Sequence, residues 1–168
     1  MKLNVILDQL LRTLNQETEL YRTMLTVIDK EEVAIIQSAL NPLNEAGMEK
    51  ENILKKLRSV EEQRCLLVRA LSEVLGYPYR ELTLSKISQM VDEPFAGRLK
   101  QVSTDLSVLL DRLRSANRRN HLLITHSLEL LKGSFNLLSE LMASNTVYYR
   151  SGNIQSANAT GQWVRSEI

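Results

Sequence analysis

The sequence predicts an all-α protein: an elongated antiparallel helical bundle or coiled coil of three long helices plus one short helix, with a flexible C-terminal tail. Three observations carry this. Apolar residues, mostly leucine, recur at alternating steps of three and four over most of the 168 residues, which is the spacing of one helix face. Only 6 Gly and 3 Pro interrupt the chain, too few for the many turns of a strand-rich fold. Aromatic residues make up 5%, low for half-buried strands, which favour aromatic and β-branched side chains. With 43% hydrophobic and 24% charged residues the composition is that of a folding chain.

The first segment, Lys2 to about Ser38, carries Leu3, Leu7, Leu10, Leu14, Tyr21, Met24 and Ile28 as a coiled-coil seam. Glu17 stands where the next apolar residue is due and is expected at the edge of a loosely packed seam. Asn41-Pro42 predicts a turn or kink before Leu43, because proline lacks an amide hydrogen and restricts the residue before it. A second helix is expected from about Asn44 to Leu75, with Ile53, Leu54, Leu57, Val60, Leu67, Val68, Leu71 and Leu75 inward, stopping at Gly76-Tyr77-Pro78. Thr83 is placed to cap a short helix through Leu84, Ile87 and Met90.

Asp92-Glu93-Pro94 has the form of a helix start. From Pro94 to about Ala143 the series Phe95, Leu99, Val102, Leu106, Leu109, Leu113 and Ala116 continues through Leu123, Leu130 or Leu131, Leu138 and Leu141. At 1.5 Å per residue this is a rod of about 75 Å, expected to pack along the other long helices. Periodicity stops after Met142, so residues 1–143 are expected to form the helical domain and residues 144–168 a mobile tail.

Lys+Arg 21 against Asp+Glu 20 leaves a formal charge of +1, no excess with which to neutralise phosphates, so nucleic acid is not an expected partner. No apolar run approaches the roughly 20 residues of a membrane span. The stretch Met1 to Leu11 is interrupted by Asp8 and lacks a cleavage site, so it does not read as a signal peptide. A cytosolic location, not embedded in a membrane, is expected. Cys65, the only cysteine, reads as a small apolar filler beside Leu66, Leu67 and Val68.

Catalysis finds little support. His121 and His126 are five apart, so on a helix they diverge by about 140° and cannot share a metal ion. There is no HExxH, paired CxxC or glycine-rich phosphate loop. Neither enzymatic activity nor a metal or other cofactor is expected. His126, Lys132, Gly133 and Ser134 resemble the His-x-x-Lys-Gly of histidine phosphotransfer bundles, but the spacing of six sets Lys132 about 120° from His126. A phosphotransfer module is therefore the third reading. The second is a self-assembling coiled-coil structural protein; Glu17, Gly47 and Asn120 weaken uniform helix pairing and speak against a filament, while leaving a homodimer open. Asn117 and Asn120 lie close to the seam. Spacing alone fits two readings, a buried amide that fixes register or a solvated edge beside Arg118 and Arg119.

The order Leu113, Asn117, Asn120, Leu123, Ser127, Leu128, Leu138, followed by Tyr148-Tyr149-Arg150-Ser151-Gly152, resembles the FlgN family of flagellar export chaperones. Leu82-Thr83-Leu84-Ser85 and the leucine-rich first helix extend the resemblance over nearly the whole chain, with Tyr149 where the family's Tyr-Gly-x-x-Gly has its first glycine. The resemblance implies a cytosolic chaperone of flagellar type III export. Its clients are the C-terminal helical ends of hook-associated proteins, those of the hook–filament junction, which it keeps from assembling early and delivers to the cytoplasmic domain of the export gate. The client site is expected on the last helix at Asn117, Asn120, Leu123, Ile124, Leu128, Leu131, Phe135 and Leu138, because Leu123-Ile124 and Leu130-Leu131 widen the apolar face beyond a packing seam. Gate docking falls by resemblance to Tyr148, with Tyr149 as its substitute; the residues alone fit an exposed surface pair as well. Trp163, Val164 and Ile168 read as a further contact or as incidental.

Overall fold

The computed structural model describes residues 2–143, with side chains as far as Met142. The element order is α1 (Lys2–Ile36), α2 (Leu40–Leu75), a 3-10 turn (Tyr79–Glu81), α3 (Leu84–Met90) and α4 (Phe95–Ala143). Three long helices and one short one are thus present, and the described residues contain no strand. The expected tail, with Tyr148, Tyr149 and Trp163, lies outside the described residues. The chain divides into two compact units, Met1–Leu123 and Ile124–Ile168.

Within the first unit the ion pairs give the helix directions. Glu17 meets Arg64, Lys30 meets Glu49 and Glu31 meets Lys50, so residue numbers rise on α1 as they fall on α2 and the two helices are antiparallel. Asp8 meets Arg98 and Glu32 meets Arg119, so α4 runs parallel to α1. A short turn joins α1 to α2, and the segment that carries α3 leads from α2 to α4, giving an up-down-up order.

The turn between α1 and α2 comes earlier than Pro42 suggests. The Ser38 amide donates to the Ile35 carbonyl at 3.1 Å and the Ala39 amide to the Ala34 carbonyl at 2.9 Å, a pair of bonds that closes α1 with Ser38 in the left-handed region at φ 53°. Pro42 therefore falls inside the first turn of α2, where its missing amide hydrogen leaves no helical bond unmade. Gly76 ends α2 in the same way at φ 63°, with the Tyr77 amide donating to the Ser72 carbonyl at 3.1 Å. Thr83 caps α3 as expected, its hydroxyl accepting from the Lys86 amide at 3.2 Å. The Glu93 carboxylate accepts from the Gly97 amide at 3.2 Å, and α4 begins at Phe95, one residue later than Pro94.

Two apolar clusters fill the first unit. One joins Leu7, Leu10, Leu11 and Leu14 of α1 to Val68 and Leu71 of α2, Ile87 of α3, and Leu99 and Leu106 of α4. The other joins Met24, Val27 and Ile28 to Ala46, Ile53 and Leu57, and to Leu109, Leu113 and Ala116. Fully burying each large side chain contributes about 1.5–3 kcal/mol. The buried stripe of α1 is wider than its seam, taking in Leu11, Thr18, Val27 and Ala34, because the helix faces both α2 and α4. The Thr18 hydroxyl is buried at no cost in unmade bonds, since it donates to the Leu14 carbonyl at 2.8 Å.

Three expectations need correction. Leu54 is exposed: it follows Ile53 by one residue, about 100° around α2, and the narrow stripe through Ala46, Ile53, Leu57 and Val60 leaves it on the flank. Glu17 is not at the edge of the seam but buried, 3.2 Å from Arg64 Nε. In the apolar series of α4, expected to be covered along its length, Leu130, Leu131, Leu138 and Leu141 are exposed. Within the first unit the Asn120–Glu31 bond sets the register of α4 on α1.

The two left-handed helix ends predict opposite substitution effects. Ser38→Gly removes the side-chain clash of that conformation and should raise stability by up to about 1 kcal/mol. Gly76→Ala introduces the clash and should lower stability by about 1 kcal/mol. Thermal unfolding followed by circular dichroism should shift by about 2–4 °C in each direction; a shift of the wrong sign at either site contradicts the helix end described for it.

Candidate functional site

The layer that closes the first unit is polar. Asn120 is 2% exposed, and its side-chain amide donates to the Ile28 carbonyl at 2.8 Å and to Glu31 Oε2 at 2.9 Å. Lys50 Nζ reaches both oxygens of Glu31 at 3.0 Å, so one carboxylate ties α4, α1 and α2 together. Arg119 grips Glu32 beside it with two bonds, at 2.8 and 3.3 Å. That donor pair holds the Glu32 carboxyl below its ordinary range and the Arg119 guanidinium above its own. Of the two readings of the asparagines, the buried one holds for Asn120, while Asn117 is exposed.

A groove of about 380 Å³ in the same unit is lined by Glu17, Tyr21, Arg64, Ser103, Ser107 and Arg114 among leucines. Tyr21 donates to Glu17 Oε1 at 3.4 Å, and Glu17 Oε2 faces Arg64 Nε out of line for a hydrogen bond. Burial raises the Glu17 carboxyl above its usual range, and Arg64 only partly opposes it. The Tyr21 phenol is raised too, by burial and by the neighbouring carboxylate. The groove holds no thiol or imidazole, and among the described residues no group of His, Cys, Asp and Glu is placed to hold a metal ion. His126 is exposed, with Nδ1 3.5 Å from Glu129. Cys65 is half-buried with its thiol free.

The described part of the second unit presents a different surface. Leu128, Leu130, Leu131, Phe135, Leu137 and Leu138 are each 52–73% exposed. Stepping 100° per residue, Ile124, Leu128, Leu131, Phe135 and Leu138 fall within about 80°, while Lys132 flanks the row beside Leu128 and Glu129, Asn136 and Glu140 fall on the far side. Such a row of large exposed apolar side chains differs from the single exposed apolar residues scattered over an ordinary surface. The first unit also exposes Val33, Ile36 and Leu40, but these straddle the α1–α2 turn and form no row along one helix.

Of the expected client residues, Asn117, Asn120 and Leu123 belong to the first unit, and Ile124, Leu128, Leu131, Phe135 and Leu138 to the second. Leu123 and Ile124 are half-buried. Tyr148 and Tyr149 lie outside the described residues. Sequence reasoning left out Leu137 and Met142, both exposed; the heptad step from Leu130 to Leu137 was the signal that could have found the first.

A family model described as FlgN protein matches residues 1–156, almost the entire chain. The chain belongs to the FlgN family. No curated protein and no solved structure matches it. FlgN proteins are flagellar export chaperones, a family of chaperones and not of enzymes, and they act by binding flagellar proteins. No helix among the described residues of this FlgN protein is long and apolar enough to cross a membrane.

The buried carboxyl gives a pH prediction. Folding raises the affinity of Glu17 for a proton, so its contribution is fully present below the unfolded value of about 4.3 and is lost as pH rises through the folded value. Glu17→Gln cannot ionise. Measured by urea unfolding, the stability of Glu17→Gln relative to wild type should therefore increase from pH 4 to pH 7; a decrease would mean that the Arg64 attraction outweighs burial.

Proposed function

We propose that this FlgN protein binds the C-terminal helical ends of hook–filament junction proteins on the second-unit part of α4, through Ile124, Leu128, Leu131, Phe135 and Leu138. The observation that carries the reading is the exposure of that apolar row in a chain whose family binds flagellar proteins. An amphipathic helix laid along the row buries both apolar stripes at once, the helix-in-groove mode of recognition. Covering a client's C-terminal helix in this way hides the surface it uses for assembly, so it stays unassembled before export. Asn120 acts by holding α4 in place, because its own amide is already committed to α1. Delivery to the cytoplasmic domain of the export gate is assigned to Tyr148, with Tyr149 as substitute, on the family pattern.

Leu128→Ala with Phe135→Ala removes two anchors, each contributing about 1.5–3 kcal/mol when buried. The double variant should bind a junction protein at least about tenfold more weakly in calorimetry. Its circular dichroism should be unchanged, since both side chains are exposed without the client; undiminished affinity would remove the site from α4.

Tyr148→Ala should leave client binding intact and weaken capture of the loaded chaperone by the gate's cytoplasmic domain. A tyrosine anchor contributes about 2 kcal/mol or more, roughly thirtyfold in affinity. If gate binding survives in both Tyr148→Ala and Tyr149→Ala, another element docks the complex.

A further inference from the structure

The apolar surface of the second unit is wider than one partner helix covers. Besides the row from Ile124 to Leu138, Leu130 and Leu137 form a second ridge, one heptad apart and about 130° around the helix from the first. Ser127 and Ser134, also one heptad apart and exposed, lie in the line between the two ridges. Together the ridges span about 180° of the helix, whereas a two-stranded seam uses only two positions in seven. α4 itself supplies the comparison. In the first unit its buried residues, from Leu99 and Leu106 through Ala116 to Asn120, occupy an arc of only about 100°. That narrower arc is already shared between two helices, α1 and α2.

We propose that the second-unit face of α4 takes two partner helices side by side, one on each ridge, so that the occupant is a helical pair of the client and not a single helix. The proposal rests on the client reading above and specifies the form of the client. The C-terminal helix lies along Leu128, Leu131 and Phe135, and a second amphipathic helix of the same client lies along Leu130 and Leu137. The serine line lets the two partner helices approach each other over small side chains, as small residues do wherever helices pack closely. Both partner helices carry an apolar stripe towards α4 and a second one towards each other.

The test uses the full-length chain with two probes, an intact junction protein and a synthetic peptide of its C-terminal helix alone, titrated by calorimetry. Leu130→Ala with Leu137→Ala should lower affinity for the intact protein by about tenfold or more and leave the peptide within about twofold. Leu128→Ala with Phe135→Ala should weaken both. The pairing is overturned if the Leu130/Leu137 variant binds intact client normally while the Leu128/Phe135 variant does not, for then one helix suffices and the client reading stands. It is also overturned if the Leu130/Leu137 variant loses peptide and intact client equally, since one helix would then straddle both ridges. Light scattering adds a third arm: a dimer of the free chain that the Leu130/Leu137 variant splits into monomers would assign the ridge to a second copy. If the Leu128/Phe135 variant binds intact client normally, the client reading itself fails and the pairing falls with it.

Discussion

The carboxylate of Glu31 is hydrogen-bonded to both other long helices of the first unit. It receives the Lys50 ammonium from α2 and the Asn120 amide from α4 while belonging to α1. An apolar layer at this point would tolerate sliding by a turn, because leucines at steps of three and four fit more than one register. A buried amide with a fixed acceptor does not, since any shift leaves a polar group unpaired at about 1–3 kcal/mol. The Asn120 carbonyl oxygen already lacks a partner among the described residues, so the layer gives up some stability where it fixes register. With the register set, the position of α1 along the first-unit part of α4 is set as well.

Helix cooperativity then accounts for the form of the second unit. Starting a helix is costly, and extending one adds a hydrogen bond for each residue fixed. The packed first half of α4 supplies the start, and the helix runs on from Ile124 to Ala143. Gly133 has nothing within 4 Å of where a side chain would begin, so its glycine answers no packing need and costs about 1 kcal/mol of helix propensity.

The element order, the Thr83 cap, the Gly76 stop and most of the inward leucines were legible because each depends on neighbours within one or two turns of sequence. What escaped depends on distant partners. Asn120 could not be separated from a solvated edge until Ile28 and Glu31 were seen beside it, and Glu17 read as an edge residue until Arg64 was found across the hairpin. Pro42 misled because proline is equally at home just after a turn and just inside a helix, and the deciding feature was Ser38 in the left-handed region. The candidate site was visible as doubled leucine slots, but periodicity cannot distinguish a face covered by the chain itself from one left for a partner. Both obey the same spacing.

The consequence for binding is a matter of entropy as much as area. A partner helix that docks on a chain already helical meets side chains whose backbone needs no further ordering, so the ordering cost falls on side-chain rotamers and on the partner. Leucine and phenylalanine lose little rotamer freedom compared with methionine or lysine, and they make up most of the exposed row. The same features carry a liability, because an exposed leucine-rich face with few charges at its margins accepts many amphipathic helices. Selectivity must then come from the polar margin. Lys132 borders the row nearest Leu128, and with Glu129 already beside His126 it is the margin's cation best placed to favour a client helix bearing an acidic residue there.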